Sequence, residues 1–169
     1  MFSGGYASKA VVPARDLVEV PEKVSAGEAA ALLVQGLTAW HLLRSSARVQ
    51  AGESVVVNAA AGGVGSLAVQ LARRFGAGRV IATASTPEKR ALALELGADV
   101  AVDGAADGYR ERILDANHGR PVDVVLDAIG GAVFEQALGT VASFGRLITC
   151  VRRRPGQGRA RRCCRPGRR

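Results

Sequence analysis

The run Ala60-Ala61-Gly62-Gly63-Val64-Gly65 sets Gly62 and Gly65 three positions apart, where an apolar stretch gives way to an amphipathic one. That spacing suits the binding of a pyrophosphate. Without a Cβ, Gly62 lets the backbone approach the phosphates closely, and Gly65 lets the following helix pack on the preceding strand. The free N–H groups at the helix start face the anion. Alanine stands where the first glycine of the usual G-x-G-x-x-G would be. About 20 residues beyond such glycines, NAD-selective sites place an acid that accepts hydrogen bonds from the ribose hydroxyls. That position falls on Ala84, followed by Ser85 and Thr86, so no carboxylate there repels a 2′-phosphate and the charge pattern favours NADPH over NADH. No Ser–His–Asp, Cys–His or paired-carboxylate arrangement is evident. His41 falls on a helix surface and His118 in a glycine-flanked loop, so neither is assigned as a catalytic residue.

Several elements must position these residues. Ser54-Val55-Val56-Val57 is the β-branched run of a buried parallel strand. Val64, Leu67, Ala68, Leu71, Ala72 and Phe75 then form one apolar helix face. Further strands are expected at Val80–Thr83, Val100–Val102, Val122–Leu126 and Arg146–Thr149. Between them lie a helix entered through Thr86 and Pro87 and stopped at Gly97, a helix over residues 109 to 117, and a helix from Ala132 to Ser143. The alternation predicts an α/β fold, a Rossmann-like doubly wound parallel sheet of about five strands. Upstream, Ser25-Ala26-Gly27-Glu28 is a capping box that opens a helix, with an interruption expected at Gly36 before a second helix through Leu43. Two short pieces, Ala10-Val11-Val12-Pro13 and Leu17-Val18-Glu19-Val20, read as strands.

The 169 residues suffice for one substantial core, and 48% are hydrophobic against 4% aromatic, too few aromatics for a base-stacking surface. The net charge of +8 belongs to one end. Residues 151 to 169 hold nine arginines and no acid, whereas the first 150 residues hold 14 Lys and Arg against 15 Asp and Glu. That end has no periodicity and is expected to be a disordered basic tail. Nucleic acid is not expected as a partner except through that tail. The abrupt change of composition near Cys150 reads either as a shifted reading frame or as a functional basic arm. Cys150, Cys163 and Cys164 have no zinc spacing, so no metal site is assigned. No apolar run is long enough to span a membrane and no signal core opens the chain, so no membrane is expected as a partner and the cytoplasm is the expected compartment.

Together, Gly36-Leu37-Thr38-Ala39, Ala59 to Gly65 with Ala68 and Gln70, Leu96-Gly97-Ala98-Asp99, and Val124-Val125-Leu126-Asp127-Ala128-Ile129-Gly130 resemble the zinc-independent quinone oxidoreductase branch of the medium-chain dehydrogenase/reductase family. Its enoyl reductase relatives look similar at this level. The resemblance implies three segments: residues 1–23 as a short remnant of a GroES-like substrate domain, 24–150 as the dinucleotide-binding Rossmann domain, and 151–169 as the tail. It also implies a chain shortened at both ends relative to the family. Thr38 matches a threonine near the nicotinamide ribose, and Gly62, Gly63, Val64 and Gly65 match the pyrophosphate turn. Lys89 matches a lysine that pairs with the 2′-phosphate, Ser85 after Ala84 is a further cofactor-binding candidate, and Ala128 and Ile129 match the segment lining the cleft after the fourth strand. Each has an alternative: Thr38 as a helix cap, Ala128 and Ile129 as strand-end packing, Lys89 and its neighbour Arg90 as a solvated helix face. Gly104 stands where relatives often set a tyrosine against the adenosine, and Arg152 stands where they have a glycine. The implied activity is NADPH-dependent hydride transfer to a small-molecule electron acceptor, a quinone or an α,β-unsaturated carbonyl. The alternative is an inert NADPH-binding remnant with a nucleic-acid-binding tail. A fifth strand without a sixth neighbour would leave an edge open to pairing with a second copy.

Overall fold

The computed structural model describes residues 8–150. The tail anticipated at 151–169 and the first seven residues lie outside the described part. Five parallel strands form one sheet in the order β3-β2-β1-β4-β5. They are β1 (Ser54–Val57), β2 (Arg79–Ala84), β3 (Val100–Asp103), β4 (Val122–Asp127) and β5 (Val141–Thr149). The connections are helical: α3 (Gly63–Arg74), α4 (Pro87–Glu95), α5 (Tyr109–Ala116) and α6 (Gly131–Leu138). From β1 the chain steps outward through β2 to β3, then crosses back to pair β4 with the other side of β1. The reversal of direction at β1 and β4 creates the crevice in which doubly wound sheets bind ligands.

Alternate residues of each strand serve opposite faces, and both faces are covered. Val55, Val57, Val80, Ala82, Val124 and Leu126 pack with Leu43, Ala68, Val69 and Ala72 on one side. Val56, Ile81 and Val125 pack with Tyr109, Ile113, Val133 and Ala137 on the other. The β-branched run of β1 is fully buried for this reason: it is the central strand with helices above and below.

Ahead of the sheet, Ser25 and Glu28 form the expected capping box, with the Ser25 N–H donating to Glu28 Oε2 at 2.8 Å and the Glu28 N–H to Ser25 Oγ at 3.3 Å. The interruption expected at Gly36 does not occur. Gly36 has φ −66° and ψ −48°, ordinary helical values, so α1 (Ala26–Ala31) continues through a wide π turn (Leu32–Gly36) into α2 (Leu37–His41) and a second π turn (Leu42–Ser46). In the wide turns the Leu37 N–H reaches back five residues to the Leu32 carbonyl and the Ala47 N–H does the same to Leu42 at 2.8 Å. The pieces at residues 10–13 and 17–20 are not strands. They flank a 3₁₀ turn (Ala14–Asp16), no strand among the described residues pairs with them, and Val11 and Val18 are exposed.

The helix expected from Ala132 to Ser143 ends at Leu138, and β5 starts at Val141 rather than Arg146. Thr140 turns the chain: its N–H and hydroxyl both donate to the Ala137 carbonyl, and its own carbonyl accepts from the Val122 N–H at 2.9 Å to begin the ladder with β4. Pairing then jumps from Val122↔Val141 to Val124↔Arg146, so the residues between bulge out of β5. Among the described residues β5 pairs with β4 alone and is one edge of the sheet, β3 being the other.

Candidate functional site: a cleft at the strand ends

The polypeptide leaves β1 through Asn58 and turns at Ala59, which holds a left-handed φ of 53°. The Gly62 N–H closes the turn on the Ala59 carbonyl at 2.9 Å, and the Ala60 N–H ties it to β2 through the Thr83 carbonyl at 2.9 Å. Helix α3 follows without a side-chain cap at Gly62. Its first internal bond runs from the Ser66 N–H to the Gly62 carbonyl at 2.8 Å, leaving the N–H groups of Gly63, Val64 and Gly65 without intrahelical acceptors. Gly65 is buried against the turn, and a Cβ there would collide with the Ala59 carbonyl and lie 2.8 Å from the Ala60 Cα. At Gly62 a Cβ would lie 3.2 Å from the Ala59 carbonyl oxygen, and at Gly63 it would strike the Gln35 side-chain amide. The turn thus depends most strictly on glycine at Gly65, where the obstruction is backbone.

Below the turn lies a buried polar hub. Asn58 Oδ1 accepts from the Thr83 hydroxyl at 2.9 Å and from the Tyr109 hydroxyl at 2.8 Å, while its Nδ2 donates to Asp127 Oδ1 at 3.4 Å. Burial pushes the Tyr109 hydroxyl far above its ordinary pKa, so it stays a neutral donor. Asp127, fully buried at the end of β4, uses Oδ1 to accept from the N–H groups of Ile129 at 3.1 Å and Gly130 at 3.2 Å. One carboxylate thus shapes the loop that forms the opposite wall. Its backbone carbonyl also receives the Cys150 N–H at 3.1 Å, and partial burial, followed by the charge of Asp127, pushes the Cys150 thiol up, keeping it protonated at neutral pH.

Between these walls opens a cleft of about 620 Å³. Of the residues singled out in the sequence, Gly62, Ser85, Lys89 and Ile129 line it, whereas Thr38, Gly63, Val64, Gly65 and Ala128 do not. Thr38 donates its hydroxyl to the Val34 carbonyl at 2.6 Å within its own helix. Ala128 is exposed beside Ile129. Thr86 caps α4 as expected, its hydroxyl accepting the Lys89 N–H at 3.3 Å. The Lys89 ammonium is exposed and forms no ion pair among the described residues. His41 shares a 2.9 Å hydrogen bond with Ser45 on the surface, and His118 occupies a left-handed loop position; neither lines the cleft.

Asp103 also lines the cleft, and the reading of the sequence passed over it. In the parallel register Ala84 of β2 stands opposite Asp103 of β3, so the carboxylate missing from the end of one strand is present at the end of its neighbour. The signal was the acid that closes the apolar run Val100-Ala101-Val102. Asn58, Thr83 and Tyr109 were missed too, since their meeting depends on three separate elements.

No helix among the described residues is long and apolar enough to cross a membrane. Among the same residues, no three His, Cys, Asp or Glu side chains stand close enough together to hold a metal ion.

Comparison with known proteins places this geometry. Residues 63–156 match the family described as zinc-binding dehydrogenase. A quinone oxidoreductase of Pseudomonas aeruginosa is 36% identical over 146 residues, covering 86% of this chain and 45% of that protein. The solved quinone oxidoreductase of Thermus thermophilus, described also in complex with NADPH, superposes with a TM-score of 0.74 at 44% identity, over 85% of this chain and 46% of that one. The CurK enoyl reductase superposes with a TM-score of 0.72 at 38% identity, over 78% of this chain and 39% of that one. The chain thus spans less than half the length of each of these three relatives.

Proposed function

We propose that this chain, which belongs to the zinc-binding dehydrogenase family, binds NADPH in the cleft at the strand ends and presents its nicotinamide to a quinone or an α,β-unsaturated carbonyl. The described residues offer no ligand set for the zinc of the family's name. The observation that carries the reading is the joining, in one cleft, of the Gly62 turn to Ser85 and Lys89, with Ala84 in place of an acid at the end of β2.

The residues present fit the cofactor. The Gly62 turn and the free N–H groups of Gly63, Val64 and Gly65 would take the pyrophosphate, an anion at the positive end of a twelve-residue helix. The Ser85 hydroxyl and the Lys89 ammonium, which has no ion pair among the described residues, would take the 2′-phosphate. Ile129, held by Asp127, would form an apolar wall, with Ala128 beside it and Thr38 on the nicotinamide side. Bound NADPH supplies the hydride. The chain's own contribution is to fix the dinucleotide at the turn and along the loop that Asp127 fastens, and to exclude water from one side of it.

Titration with NADPH and NADH by cofactor fluorescence, followed by addition of a simple quinone, tests the reading. Tighter binding of NADPH with oxidation on addition of the quinone supports it. Binding without turnover favours the alternative of a cofactor-binding chain that does not react, and binding of neither cofactor overturns it.

A further inference from the structure

The 2′-phosphate side of the cleft has two adjacent cations in sequence, Lys89 and Arg90, yet they are used differently. Lys89 lines the cleft without an ion pair among the described residues. Arg90 is turned onto the strand ends: its Nη1 donates to the Ala84 carbonyl at 3.0 Å and to Asp103 Oδ2 at 3.4 Å, with the side chain only 24% exposed. Asp103 is itself fixed, since its Oδ1 accepts the Ala105 N–H at 2.8 Å and its backbone carbonyl accepts from Arg112 Nε at 3.0 Å. It lines the same cleft as Lys89, and β-sheet register holds it beside Ala84.

From this arrangement we infer that Asp103 is a specificity-determining residue: it latches Arg90 away from the cleft, so that a phosphate on the ribose meets one cation, Lys89, instead of two. The inference rests on the proposed binding of NADPH. Arg90 starts one residue after Lys89 on the first turn of α4, and the cleft-lining Asp103 carboxylate is its only ion-pair partner among the described residues. Removing the charge of Asp103 while keeping its shape leaves the guanidinium hydrogen-bonded to the neutral Ala84 carbonyl, which a phosphate outcompetes with the paired hydrogen bonds that suit the planar fork. A cofactor without the 2′-phosphate gains nothing from that change. Asp103 therefore lowers discrimination between the two nicotinamide cofactors, keeping NADH as a workable ligand in a cleft otherwise built for NADPH.

The test is Asp103→Asn, which retains an oxygen to accept the Ala105 N–H, measured beside Arg90→Gln and the double variant by fluorescence titration with NADPH and NADH. The single Asn variant is expected to bind NADPH about tenfold more tightly with NADH unchanged, and the double variant to return to the level of Arg90→Gln. A gain that survives in the double variant overturns the latch, as does an unchanged NADPH-to-NADH ratio in a variant whose thermal unfolding matches wild type. If the Asn variant unfolds, Asp103→Ser at the same position provides the comparison under the same criteria. Failure of the wild-type chain to bind either cofactor instead overturns the proposed function, so the two readings fail separately.

Discussion

Asn58 Nδ2 and Asp127 Oδ1 meet at 3.4 Å beneath the glycine turn, joining the end of β1 to the end of β4 where the sheet reverses direction. The pair is fully buried, and the Asn58 amide oxygen also accepts from Thr83 and Tyr109. Replacing Asn58 by Ala strands two buried hydroxyls and removes a donor from a buried carboxylate, for an expected loss of about 3 kcal/mol. Tyr109→Phe removes one hydroxyl and leaves Asn58 Oδ1 bonded to Thr83, so about 1 kcal/mol is expected. Urea denaturation of both variants checks the order; equal losses would mean that the hub does not depend on Asn58.

Gly65→Ala separates a packing role from helix propensity. In an exposed helix interior that change stabilises by about 1 kcal/mol. At Gly65 the new Cβ meets the backbone of Ala59 and Ala60, which cannot yield as a side chain can. A loss of about 2 to 4 kcal/mol is expected, with weakened cofactor binding because the turn must shift. Thermal unfolding and NADPH titration of the same preparation measure both effects.

Much of this geometry was legible where the signal is local. Ser54 to Val57 are β-branched or small over the whole strand, and β1 occupies those four residues. Thr86 followed by Pro87 marks a helix start by chemistry that acts within one turn, and α4 begins there. Gly97 ends the same helical region with φ 106°, a value that glycine alone adopts without strain. What was illegible depends on alignment between distant elements. That Asp103 faces the cleft follows from its register with Ala84, and the continuity of the helix past Gly36 follows from π turns that no propensity scale encodes. The early start of β5 was hidden because a left-handed position, the usual mark of a turn, carries Phe144 instead of glycine.

Lys89→Glu addresses the phosphate side directly. The ammonium has no structural partner among the described residues, so its loss is expected to leave the unfolding temperature nearly unchanged. A carboxylate in its place repels the 2′-phosphate and leaves the NADH ribose hydroxyls unopposed. Weakening of NADPH binding by about tenfold to a hundredfold, with a far smaller effect on NADH, is expected in fluorescence titrations. Equal effects on both would mean that Lys89 is only a surface charge.

Arg146 on β5 grips Glu53 with two hydrogen bonds of 2.6 and 2.7 Å and also donates to the Ala47 carbonyl at 2.7 Å, tying the sheet edge to the loop before β1. These bonds hold the Glu53 carboxyl below its ordinary value of 4.5 despite the opposing effect of partial burial. A carboxyl depressed in the folded state binds fewer protons there than in the unfolded chain. Its contribution is therefore complete above the ordinary value and is lost as pH falls through the depressed one. The stability gap between wild type and Glu53→Gln is thus expected to be largest near neutrality and to narrow below about pH 4.5. Urea midpoints across that range test it, and a gap constant with pH would remove Glu53 from the acid response.

Phe144 has φ 65° and a fully exposed side chain in the bulge of β5. The left-handed conformation costs an L-residue about 1 to 2 kcal/mol, and here no buried contact of the ring offsets it. Its neighbour Gly145 cannot share the burden by changing identity, because a Cβ there would fall within 2.8 Å of the Asp123 carbonyl oxygen. Phe144→Gly trades that strain for the greater freedom of glycine in the unfolded chain, which returns about half of the gain. A net stabilisation of about 0.5 to 1 kcal/mol is expected in urea denaturation. A destabilised variant would show instead that Phe144 makes a contact worth more than its strain.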